Sequence, residues 1–168
     1  MLLDKKWGFI DKTGQFVIQP RFDSASYFSE GIAAVKVGGK TVFINKAGKR
    51  VIETKYEDAH GFIEGLSGAK IGGKWGFIDK AGKIVIEPKF DNVSSFFNGM
   101  ASIVVDKKYG YINKSGEVII EPKYGYGHFF LGELAGITFH PEQGNGAGTG
   151  YVNRRGQVVW EPKPKATG

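Results

Sequence analysis

Apolar residues along the chain come in short runs that glycine, Asp or Asn, and proline interrupt at regular places. Trp7-Gly8-Phe9-Ile10 is aromatic and β-rich, ends at Asp11-Lys12-Thr13-Gly14, and gives way to Phe16-Val17-Ile18-Gln19. Asp at the first position of such a turn can bond the backbone further on, and Gly at the last position takes positive φ. The segment therefore predicts a β-hairpin. Pro20 has no N–H to donate and is expected to stop the ladder. Arg21 to Gly31 reads as a connector and Ile32 to Val37 as a third strand. Gly38-Gly39-Lys40 turns that strand into the next aromatic one.

The pattern then repeats. The turn glycines Gly14, Gly48, Gly82, Gly116 and Gly156 are spaced by 34, 34, 34 and 40 residues. Self-similarity at such a period marks a tandem repeat. Trp7-Gly8-Phe9-Ile10 returns as Thr41-Val42-Phe43-Ile44, Trp75-Gly76-Phe77-Ile78, Tyr109-Gly110-Tyr111-Ile112 and Thr149-Gly150-Tyr151-Val152. Val17-Ile18-Gln19-Pro20 returns as Val51-Ile52-Glu53-Thr54, Val85-Ile86-Glu87-Pro88, Ile119-Ile120-Glu121-Pro122 and Val159-Trp160-Glu161-Pro162. The expected fold is all-β, one domain over 1–168. Its five three-stranded antiparallel meanders cover about 1–20, 32–54, 66–88, 100–122 and 134–162. The chain starts and stops at meander edges, as a complete module would.

Side chains alternate along a strand. Trp7 and Phe9 thus share one face, and Gly8 and Ile10 the other. Both faces are largely apolar and need cover, which neighbouring meanders can supply. Gly8, Gly76, Gly110 and Gly150 are expected to remove a side chain where a neighbour presses close. Two arrangements fit, a closed propeller-like ring and an open curved solenoid. The ring hides the end faces, but no split blade is evident to close it.

The motif Lys-Trp-Gly-Phe-Ile-Asp-Lys-x-Gly, then Val-Ile-x-Pro-x-Phe-Asp, then Phe-x-x-Gly, resembles the WG-repeat family of bacterial proteins. Trp7-Gly8 and Trp75-Gly76 match it fully and Tyr109-Gly110 is a conservative variant. Thr41-Val42 departs at both positions, and Thr149-Gly150 keeps only the glycine. The resemblance covers almost the whole chain. It implies a β-repeat interaction module with no agreed catalytic residues. The varying copy number of such repeats favours an open stack.

Composition narrows the function classes. The 168 residues include no cysteine, which excludes a disulfide scaffold, a thiol nucleophile and a Cys-based zinc site. No run approaches the roughly eighteen apolar residues of a membrane span. No leader is evident, and a cytoplasmic protein or an exported one with its leader removed would read alike. The net charge of +6 invites a polyanion or glycan partner. The basic residues, however, follow the repeat. Lys12, Lys46, Lys80, Lys114 and Arg154 sit at the hairpin tips, where lysines also keep edges from pairing with other chains. His60 and His128 share one repeat position, with Ser26 and Ser94 in the other copies. A zinc site would need carboxylate help such as Glu142, and no metal or cofactor is expected. Nucleophile elbow, phosphate loop and metalloprotease helix are all absent, so no enzyme is predicted.

The stretch between the fourth and fifth copies departs most from the repeat. Gly125-Tyr126-Gly127-His128-Phe129-Phe130 replaces the usual connector, and Phe139 to Thr149 replaces a two-glycine turn. Extra loop length on a rigid scaffold is a place for binding. His128, Phe139, His140, Glu142, Asn145, Arg154 and Arg155 are the binding candidates. The leading reading is a non-enzymatic scaffold that engages a protein or peptide through its loop rim. Polyanion or glycan binding by the tip row and a spacer role within a longer array are the alternatives.

Overall fold

The computed structural model describes residues 1–139 and 148–161. Every element is a strand. The first sheet is β1 (Leu2–Leu3), β2 (Lys6–Ile10) and β3 (Phe16–Phe22). The second is β4 (Ser24–Ala25), β5 (Ile32–Val37), β6 (Lys40–Asn45) and β7 (Arg50–Tyr56). The third is β8 (Asp58–Ala59), β9 (Ser67–Ile71), β10 (Lys74–Ile78) and β11 (Ile84–Phe90). The fourth is β12 (Asn92–Val93), β13 (Met100–Val105), β14 (Lys108–Asn113) and β15 (Val118–Tyr124). The fifth is β16 (Tyr126–Gly127), β17 (Leu134–Thr138), β18 (Thr149–Asn153) and β19 (Val158–Trp160). Strands sit in chain order, and the pairings are antiparallel. The chain divides into two compact units, Met1–Pro88 and Lys89–Gly168.

The all-β repeat fold and its meanders are those the periodicity predicts. Two details differ. Sheets two to five each gain a two-residue edge strand from within the expected connector. Such a strand is too short to leave a period-two signal. The ladder also continues past proline, since β3 includes Pro20 and ends at Phe22. Its register shifts between Trp7↔Phe22 and Phe9↔Ile18. β3 is an edge strand with a bulge, and an edge tolerates the missing N–H.

The hairpin tips behave as their residues require. Asp11 Oδ1 accepts the Thr13 and Gln15 N–H groups at 2.8 and 3.1 Å. Asn113 Oδ1 accepts those of Ser115 and Glu117 at 3.0 Å each. Gly14 and Gly116 close these turns at φ 86° and 82°. The Thr13 hydroxyl, which also donates to Asp11 Oδ1 at 2.6 Å, and then the Thr13 and Gln15 N–H groups hold the Asp11 carboxyl below the usual range.

The strand glycine does a different job from the one expected. A Cβ on Gly76 would lie 2.4 Å from the Ile86 carbonyl oxygen and 2.7 Å from the Pro88 nitrogen. Gly110 stands in the same relation to Ile120 and Pro122, at 2.5 and 2.7 Å. These glycines clear the bulged return strand of their own sheet. A bulge is a closer neighbour than any packed sheet, because sheets stack about 10 Å apart.

The core forms where one sheet's ring face (the face of Trp7 and Phe9) meets the next sheet's glycine face. In the first unit Phe9, Ile18 and Phe22 of sheet one pack on Ala33, Val35, Val42 and Ile44 of sheet two. Ala34, Phe43, Ile52 and Tyr56 of sheet two then pack on Ala69 and Ile78 of sheet three. In the second unit Met100, Tyr111, Ile120 and Tyr124 of sheet four meet Ala135, Ile137 and Val152 of sheet five. Connector phenylalanines plug these seams: Phe43 lies 5.1 Å from Phe62, and Tyr111 is 5.1 Å from Phe130.

Candidate functional site

Sheets four and five build the site from a chain of local substitutions. Tyr111 stands where the earlier sheets have Phe9 and Phe43. Its hydroxyl donates to the His128 carbonyl at 2.6 Å. That hydroxyl fills the space a side chain would need, since a Cβ on Gly127 would sit 2.6 Å from it. The corresponding residues in sheets two and three are Ala25 and Ala59. Burial pushes the Tyr111 phenol up, so this donor stays protonated.

From this anchor β16 runs outward. The Tyr126 ring lies 5.0 Å from Tyr109 and 4.8 Å, edge-on, from His128. Phe129 lies 5.1 Å from Phe97. His128 is exposed and sits over Gly136, where a Cβ would lie 3.1 Å from its Cδ2. Two cavities flank this histidine. One, of about 210 Å³, is lined on its far side by Asn92, Ser94, Ser102 and Tyr109. The other, of about 410 Å³, is walled by Phe129, Leu131, Leu134, Thr149 and Tyr151. Phe129, Leu131, Leu134 and Tyr151 are all exposed.

The other sequence candidates are placed differently. Phe139 is buried in the core of the second unit, edge-on to Tyr124 at 5.9 Å. Arg154 donates to the Gly132 carbonyl at 3.1 Å and to the Asn98 carbonyl, and pairs with Glu133 at 3.6 Å. It thereby ties the fifth hairpin tip to two connectors. Arg155 is exposed, and its backbone N–H closes the Asn153 turn. His140, Glu142 and Asn145 lie outside the described residues. Tyr126, Phe129, Leu131, Leu134, Thr149 and Tyr151 were not singled out as binding residues from sequence. Their signal was the loss of Trp at position 149 and the aromatic-rich connector.

The tip cations Lys80 and Arg154 are engaged within their own units. Lys80 pairs with Glu30 at 3.0 Å, which with the Gly65 N–H holds that carboxyl below its ordinary range. Among the described residues no three His, Asp or Glu side chains converge to hold a metal. No helix there is long and apolar enough to cross a membrane.

Antiparallel sheets strung from one repeated hairpin unit define a tandem β-repeat protein. The model of the WG containing repeat matches residues 7–40, 43–75, 75–109 and 109–138, and the chain belongs to that family. No curated protein matches the sequence. The crystal structure of a eukaryotic initiation factor is similar over 96% of this chain, at a TM-score of 0.61 and 11% identity. This chain spans 51% of that one, and the likeness concerns the fold alone. A protein of unknown function from Bacteroides caccae aligns over 98% of this chain and 77% of its own, at a TM-score of 0.40 and 15% identity.

Proposed function

We propose that the chain is a non-enzymatic repeat scaffold that binds a protein or peptide at the rim where its fourth and fifth repeats meet. The observation that carries this reading is the patch of exposed Tyr126, Phe129, Leu131, Leu134 and Tyr151 around two cavities. Exposed apolar side chains gathered in one place, rather than scattered, mark interaction sites, and aromatic residues are enriched among binding hot spots. Packed sheets hold the patch in place before a partner arrives, which lowers the ordering cost of association. Polyanion binding by the tip row is the weaker reading, because Lys80 and Arg154 already have carboxylate partners.

Selection from a random-peptide display library, paired with heparin retention at low and moderate salt, separates the readings. The binding reading predicts enriched peptides whose affinity changes little with salt. Tight heparin retention that falls steeply with salt, with no peptide enriched, would replace it with polyanion binding. Neither response would leave only the spacer role.

A further inference from the structure

The third and fifth sheets carry the same unusual pair of residues. His60 in one and His128 in the other each stand opposite a glycine, Gly68 and Gly136, to whose carbonyl the histidine N–H donates at 2.9 Å. In the equivalent places of sheets two and four a serine faces Ala34 or Ser102. Ser26 and Ser94 each accept that residue's N–H through Oγ, at 3.0 and 2.9 Å. Histidine and glycine thus occur together in both sheets, and in sheet five the ring lies where a Cβ would crowd it, 3.1 Å from a Cβ on Gly136.

What covers the histidine differs between the two sheets. In sheet three the Trp75 indole lies on His60, ring centres 4.6 Å apart and planes 30° from parallel. Trp75 is 8% exposed, and His60 is half-buried, its imidazole held below its ordinary pKa by desolvation. In sheet five the residue at the Trp75 position is Thr149. Its short side chain puts no ring where Trp75 lies on His60. His128 is exposed with Tyr126 edge-on at 4.8 Å, and Thr149 and His128 line the same cavity of about 410 Å³. That volume is in the range of small-ligand sites, about 300–1,000 Å³. Its walls are rings and leucines, with the His128 imidazole and the Thr149 and Tyr151 hydroxyls as polar groups.

We propose that this cavity receives an aromatic side chain, an indole above all, from a bound peptide, which takes over His128 the place that Trp75 takes over His60. The proposal rests on the peptide-binding reading and gives it a site and a ligand chemistry. The occupant is argued from the protein's own third sheet, where the same histidine on the same glycine is covered by an indole.

The test is the NMR signal of the His128 ring protons in the full chain, titrated with N-acetyl-tryptophanamide and, as an aliphatic control, N-acetyl-leucinamide. The tryptophan compound is expected to move those protons upfield in a saturable way, with the weak affinity of a fragment-sized ligand. The leucine compound should leave them in place. Thr149→Trp should show the upfield position without ligand and no longer respond to it. Phe129→Ser, a change at an exposed wall that spares the core, should weaken the response by about fivefold or more, as truncating an anchoring aromatic does. It serves should Thr149→Trp fail to fold. No movement of His128 at saturating ligand, equal movement with leucinamide, or an unchanged response in a folded Thr149→Trp would each overturn the proposal. So would a His128 shift that follows protein concentration alone, which would make a second copy of the chain the occupant. Successful peptide selection with a silent His128 would keep the binding reading and discard this site.

Discussion

Sheets four and five are built from nearly the same residues and use them in opposite ways. Tyr111 and Tyr151 hold one repeat position. Tyr111 is fully buried and Tyr151 is 45% exposed. Met100 is buried where Leu134 is exposed. The ring face of sheet four is covered by the glycine face of sheet five, whereas the ring face of sheet five carries the exposed side chains around the His128 cavity. A repeat position therefore has no fixed role. The same ring is packing where a sheet lies on it, and exposed where, among the described residues, none does.

The largest expected effect comes from removing the buried member of that pair. Tyr111→Ala should destabilise the protein by about 3–5 kcal/mol in urea unfolding, as truncation of a buried aromatic does. A loss near zero would mean that the seam between the sheets is not packed. Gly110→Ala comes next, because its Cβ would meet the Ile120 carbonyl and the Pro122 nitrogen, both backbone atoms with little room to yield. A cost of about 2–3 kcal/mol is expected for such overpacking, and a neutral result would show that the bulge can move away. Gly127→Ala should cost somewhat less, about 1–2 kcal/mol. Adding Tyr111→Phe should recover much of that loss, since it recreates the Phe–Ala combination of Phe9 with Ala25 and Phe43 with Ala59. Additive losses in this double-mutant cycle would break the link between the hydroxyl and the missing Cβ.

The smallest effect concerns His60, the covered histidine. Its folded-state pKa lies below the ordinary value of about 6.5. The unfolded chain therefore takes up the proton first as pH falls. Stability from this residue is complete above about 6.5, declines as the pH drops through that value, and levels off below the folded pKa. His60→Ser, which installs the residue found at Ser26 and Ser94, should flatten the decline in stability as the pH falls through about 6.5. An unchanged slope would place its origin elsewhere.

Much of this was legible in the sequence, because its signals are local. The Asx-x-x-Gly tips need only their own residues to form the turn, and alternation along Trp7 to Ile10 fixes which side chains share a face. The Pro20 bulge was not legible, because it depends on how two strands register against each other. Gly8 and Gly76 carried a clear signal, a side chain that cannot be afforded, but nothing in one strand says which neighbour forbids it. The rings were expected to be packing. Trp75, Phe77 and Tyr111 are buried, while Trp7 is 37% exposed. Arg154 drew notice as a tip cation, yet its reach back to the Asn98 and Gly132 carbonyls joins residues 56 and 22 positions apart. The change from Trp75 to Thr149 was visible from the start. Its consequence needed His128 and Gly136 in space, because a missing ring matters only where something is left uncovered.

Tyr151→Ala, followed by urea unfolding and by the His128 response to N-acetyl-tryptophanamide, tests the change of role most directly. The expected result is a stability within about 1 kcal/mol of the parent, as for an exposed side chain, together with a weakened or lost response. A loss of about 3 kcal/mol or more with the response intact would make Tyr151 a packing residue like Tyr111 and contradict the account.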